Sequence, residues 1–148
     1  GETWGYRGLI ARDDSEAVTY QEPALCDDGR GGLVCFMRTA RADGRLATSH
    51  CADGEHWREP QLHRLVGHPF HPLPLSDGRV LLSYGYRDPP YGIRARVLES
   101  ALADPDDAAE IVIRDDGDRA VGLNQKYSAS KRALANAQAF SAGVPPVP

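Results

Sequence analysis

Four arginines stand at matched positions in this 148-residue chain: Arg38 and Arg45 return as Arg87 and Arg94 at an offset of 49 residues. A guanidinium is a planar fork that pairs bidentately with a carboxylate and keeps its charge. Arg38, Arg87 and Arg94 are therefore candidates to grip an anionic ligand. The competing readings pair them with Asp43, Asp88 or other surface acids, or make an arginine repeated at one position a structural device. Glu22 stands at the start of an expected inner strand, on the same rim as these arginines. It can act as a general acid or base, or it can hold Arg38 or another neighbour in place. His68 and His71 flank Pro69-Phe70. A His-x-x-His spacing suits a metal, but no acidic or cysteine ligand accompanies it. No metal and no other cofactor is expected, and the two histidines are read as hydrogen-bonding residues. Tyr91, like Tyr84 and Tyr86, offers a ring that either stacks on a ligand or packs internally.

The elements that position these groups follow from the same repeat. Glu22-Pro23, Asp28-Gly29-Arg30, Arg38 and Arg45 recur as His71-Pro72, Asp77-Gly78-Arg79, Arg87 and Arg94. Between them lie runs rich in β-branched and aromatic residues that follow Asp-Gly turns, the pattern of hairpin strands. Strands are expected at Glu22–Cys26, Leu33–Arg38, Arg45–His50 and Gln61–Leu65. A second unit places them at His71–Leu75, Val80–Arg87, Ile93–Leu98 and Glu110–Arg114, and a short strand is expected at Tyr6–Ala11. Several short strands at a fixed period of this size indicate β-propeller blades. In an up-and-down blade of four antiparallel strands, the start of the first strand and the second-to-third connection share one end. That rim carries Glu22, Arg38, Arg45, His71, Arg87 and Arg94, with His68 beside it.

Ser49–Trp57 reads Ser-His-Cys-Ala-Asp-Gly-Glu-His-Trp, and Gly1–Trp4 reads Gly-Glu-Thr-Trp. Both resemble the Asp-box of the sialidase (neuraminidase) superfamily, a turn in which an Asp accepts backbone N–H groups and a Trp packs beneath. Gln21-Glu22-Pro23, Gly67-His68-Pro69, Tyr84-Gly85-Tyr86-Arg87 and Pro90-Tyr91-Gly92 are similar to bacterial Asp-box-repeat proteins of the exo-sialidase-like group. The resemblance covers residues 1–122. It implies an all-β fold, a six-bladed propeller parent of which two to three blades are present here, and hydrolysis of terminal acidic sugars on glycans. It also implies that Arg38, Arg87 and Arg94 face the sugar carboxylate, with His68, His71 and Tyr91 as further sugar contacts. The nucleophilic tyrosine and acid/base aspartate of such enzymes have no counterpart here, so the chain is expected to be an incomplete catalyst. A non-catalytic propeller that binds carbohydrate or protein is the alternative, as is an inactive truncated product.

Composition narrows the partners. A net charge of −4 with no basic run argues against nucleic acid. No apolar run reaches the ~18 residues of a membrane-spanning helix. Cys26, Cys35 and Cys51 show no metal-type pairing, and their odd number suits free core thiols. Residues 123–148 change character: a helix capped by Ser128 through Lys131–Phe140, then an extended or disordered Pro-rich end, is expected outside the family pattern. The abrupt Gly1 start reads as a piece of a longer protein, and open blade edges imply self-association.

Overall fold

The computed structural model describes residues 1–6 and 8–117. Eight strands account for its regular structure: β1 (Thr19–Asp27), β2 (Leu33–Ala40), β3 (Arg45–Cys51), β4 (Gln61–Val66), β5 (Phe70–Pro74), β6 (Val80–Tyr86), β7 (Tyr91–Leu98) and β8 (Glu110–Gly117). They form two antiparallel sheets in chain order, β1-β2-β3-β4 and β5-β6-β7-β8. A single turn of 3-10 helix at Pro105–Asp107 interrupts the β7–β8 connection. Among the described residues no helix is long and apolar enough to cross a membrane. The tail helix expected at Lys131–Phe140 lies outside the described residues.

The sheets pack face to face, and the pleat decides which residues meet. Val34, Phe36, Leu46 and Leu65 of the first sheet join Phe70, Val80, Leu82, Tyr84 and Leu98 of the second in one buried cluster. Alternate residues point to opposite faces of a strand, so Cys35, Met37 and Ala47 emerge on the outer face of the first sheet. There they are covered by Ile10, Ala11, Tyr20, Trp57 and Leu62. The same alternation separates the cysteines. Cys26 pairs with Val34 and Leu25 with Cys35, so Cys26 and Cys35 face different clusters and all three thiols are free. Burial pushes the Cys35 thiol up to about 11, which leaves it inert.

Two expectations need correction. Tyr6 and residues 8–11 belong to no strand. Ile10 and Ala11 instead lie against the outer face of the first sheet, held by apolar contact without a ladder partner. Trp4 does not pack beneath a turn: it is 97% exposed. The turn at Asp53 does form. Asp53 accepts the amides of Glu55 (2.9 Å) and His56 (2.8 Å), and these bonds hold its carboxyl well below the ordinary carboxylate range. Trp57 then seats on the first sheet.

The Asp28 turn between β1 and β2 is tied more deeply. Its carboxylate accepts the His50 ring at 2.8 Å and the amides of Arg30 and Gly32, both at 2.8 Å. The His50 contact, then the Arg30 amide, lower its pKa from 3.8. A depressed folded value means the stabilisation is whole above the unfolded value and is lost as pH falls through the folded one. We expect Asp28→Asn to flatten the fall of the urea midpoint between pH ~4 and ~2 relative to wild type. An undiminished slope would assign that acid sensitivity to other groups. At the sheet junction a Cβ on Gly85 would lie 2.4 Å from the His68 carbonyl oxygen. Gly85→Ala should therefore cost about 1–3 kcal/mol in chemical denaturation, as overpacking does.

Candidate functional site

The site is organised by the crossing from β4 to β5. Gly67 donates its N–H to Gly44 O at 3.2 Å, and His68 exchanges main-chain hydrogen bonds with Gly85 at 2.9 and 3.2 Å. These bonds lay residues 67–68 between the β2–β3 turn and β6. The imidazole of His68 occupies the space that a side chain on Gly44 would fill: a Cβ there would lie 2.3 Å from Nε2. Gly44 is also left-handed, with φ 70°, a conformation that glycine adopts without steric cost.

Around His68 opens a cleft of about 490 Å³ between the ends of the two sheets. Arg38 reaches it from β2, Arg87 from the end of β6, and Arg41, Asp43 and Asp88 from the turns. Of its three guanidiniums, Arg38 is ion-paired with Glu22 and Arg41 lies 3.9 Å from Glu16, which leaves Arg87 without an ion pair among the described residues. Asp43 and Asp88 make no ion pair among the described residues. Asp43 sits in a left-handed conformation (φ 56°) just before Gly44, a turn that the Asp-Gly dipeptide signals.

The two cleft arginines that occupy repeat-equivalent positions differ in how they are held. Arg38 Nε donates to Glu22 Oε2 at 2.8 Å, and Nη2 donates to Gln21 Oε1. Glu22 reaches it because β1 bulges between Gln21 and Ala24, and Glu22 itself is left-handed at φ 51°. The repeat puts His71 where Glu22 stands, and a histidine on an exposed strand position offers Arg87 no carboxylate. Arg87 is exposed and forms no ion pair among the described residues.

Other residues singled out in the sequence lie elsewhere. Arg94 is 4% exposed. It donates to Arg114 O at 2.7 Å and Pro90 O at 3.0 Å, and its guanidinium lies 5.3 Å from the Tyr86 ring centroid. Its repeat mate Arg45 donates to His63 O at 2.6 Å. Each thus clamps the outer strand of its sheet beside an irregularity in the ladder, which is a structural device. His71 points away on an exposed position of β5, and Tyr91 is buried at the start of β7. Among the described residues, the group close enough to hold an ion is His63, Asp104 and Asp106, whose ligand atoms lie within 4.8 Å of one another. Both Asp106 oxygens already accept amides, from Arg64 and Leu65.

One arrangement escaped sequence reading. Tyr84 donates to Glu110 Oε2 at 2.8 Å, the pairing a tyrosine nucleophile would need. Burial pushes that phenol up to about 12, the opposite of activation. Tyr84 packs against Phe70, with ring centroids 5.6 Å apart, and belongs to the core.

No protein-family model and no curated protein matches this chain. Among solved structures, it is similar to the crystal structure of a protein of unknown function from Dyadobacter fermentans DSM 18053, with 40% sequence identity and a TM-score of 0.73. The match covers 79% of this chain, which spans 32% of that one.

Gly44→Ala tests the packing that places His68. We expect a displaced imidazole, read as a shift of the His68 ring resonances, together with a loss of stability of about 1 kcal/mol or more from the left-handed backbone. Unmoved ring resonances would show that Gly44 does not position His68.

Proposed function

We propose that this cleft takes the carboxylate of a terminal acidic sugar. On this reading the two sheets are consecutive blades of a sialidase-like six-bladed propeller whose parent is a glycoside hydrolase. The observation that carries it is the convergence of Arg38 and Arg87 on one open cleft, the first fixed by Glu22 and the second left with its fork uncommitted. Arg87, exposed and without an ion pair among the described residues, keeps its fork for bidentate capture of a carboxylate, and Arg38, ion-paired with Glu22, lines the same cleft beside it.

Further support comes from the repeat, from the Asp53 turn at the end of the sheet away from the cleft, and from length. Two sheets fill about a third of the similar chain, which leaves room there for about four more of that size. The nucleophile would come from elsewhere in such a ring, since the tyrosine paired with glutamate here is buried in the core. Glu22 supports Arg38 in this scheme, because its carboxylate is committed to that ion pair. That commitment also favours the second reading, a non-catalytic carbohydrate-binding propeller.

Calorimetric titration of the full chain with N-acetylneuraminic acid and with its methyl ester separates charge recognition from sugar recognition. We expect the free acid to bind and the ester to bind at least tenfold more weakly. Arg87→Ala should weaken the acid by about tenfold or more without changing the melting temperature. Equal binding of acid and ester, or an unaffected Arg87→Ala, would remove the cleft arginines from recognition.

A further inference from the structure

A second pocket, of about 240 Å³, lies against β3 and β4 and shares no lining residue with the cleft. The loop after β7 covers it. On its wall the Thr48 hydroxyl lies 2.8 Å from His63 Nε2, and His63 Nδ1 lies 3.2 Å from Asp104 Oδ1. The three groups come from three separate elements, β3, β4 and the turn before Pro105. His63 is 3% exposed, so its ring has no room to turn away. Asp104 is fixed independently, because the same oxygen accepts the Asp106 amide at 2.9 Å. With the Nδ1 proton directed at a carboxylate, Nε2 is left to accept the threonine hydroxyl.

We propose that Thr48, His63 and Asp104 form a nucleophile, base and positioning relay that transfers short acyl groups from esters to water. The sequence is the order that activated hydroxyls require: a hydroxyl within reach of a base that a third group orients. Thr48 Oγ attacks the ester carbonyl carbon while His63 Nε2 takes the hydroxyl proton. The bond to the alcohol oxygen breaks and His63 returns the proton to that alcohol, leaving acyl-Thr48. Water then attacks the same carbon, giving its proton to His63. The bond to Thr48 breaks and the proton returns to its oxygen. Ester and water become acid and alcohol, and the chain ends unchanged.

The lining sets the substrate class. Val34, Ala101 and Leu102 form an apolar side that accepts a short alkyl chain, and the volume excludes a long one. Arg58 and Gln61 at the mouth supply donors for the negative charge that develops on the carbonyl oxygen. Ser49, also on the wall, is excluded as the nucleophile because its hydroxyl donates to Arg58 O at 2.6 Å.

The test is labelling of the full chain by an alkyl fluorophosphonate, which forms an oxygen–phosphorus bond at an activated hydroxyl with loss of fluoride. Peptide mass spectrometry should place one label on Thr48, and Thr48→Val should abolish it. His63→Gln should slow labelling by about 100-fold or more. Asp104→Asn should slow it as well, and Asp104→Glu should recover most of the rate at a melting temperature equal to that of Asp104→Asn. That recovery separates positioning from fold support. Absence of label on Thr48 in folded wild-type protein would overturn the proposal, as would an Asp104→Asn rate equal to wild type.

Discussion

The architecture turns on one close approach. The main chains of His68 and Gly85 exchange two hydrogen bonds where the chain crosses from the first sheet to the second. No side chain fits on residue 85 at that distance, and Gly67 alongside it is as tight: a Cβ there would lie 2.6 Å from Tyr84 Cδ2. Buried main-chain groups must find partners, and here a connecting segment finds them in the adjoining elements. The crossing therefore acts as a strand of minimal length stitched to both sheets. It fixes their separation, which lets Phe36 and Leu46 meet Phe70 and Leu82. It also delivers His68 to the mouth of the cleft.

How much of this was legible depended on range. The Asp28-Gly29 and Asp77-Gly78 turns and the apolar runs after them are local signals, and all eight repeat strands appear within a few residues of the expected bounds. Strand pairing is local here too, because each sheet is a simple meander. What failed was long-range or depended on a missing neighbour. Tyr6–Ala11 reads as a strand in sequence, yet Ile10 and Ala11 find a sheet face to lie on and no edge to join, while Tyr6 and Leu9 are exposed. Arg94 reads as a rim residue from its position at the head of β7, but its side chain turns inward to carbonyls on β8 and the preceding turn, which no spacing announces. The His63 and Asp104 contact joins positions 41 residues apart, one on a strand of the first sheet and one in a connection of the second, and neither periodicity nor motif brings such residues together.

The repeat also shows how one residue type divides its labour. At the head of the third strand, arginine serves as a long donor that satisfies carbonyls freed where the ladder to the outer strand loses register, as Arg45 and Arg94 do. At the end of the second strand, arginine reaches outward, and its state is set by the residue one strand away. Glutamate at position 22 locks Arg38, while histidine at position 71 leaves Arg87 uncommitted. Gln21 and Glu22 in one copy, against Phe70 and His71 in the other, thus turn a symmetrical pair into a fixed and a free guanidinium. Arg96 is a third variation. It donates to Pro105 O and Ala108 O at 2.9 and 2.8 Å and holds the loop that roofs the second pocket.

The two tryptophans make the chain its own spectroscopic probe. Trp4 is already solvated in the folded state, so its indole emission is that of an unfolded chain from the outset. Trp57 alone lies against protein, on the outer face of the first sheet beside Met37 and Ala47. Any change in intrinsic fluorescence on unfolding therefore originates at one ring. It times the release of the Asp53 turn and its sheet face, and is blind to the separation of the two sheets.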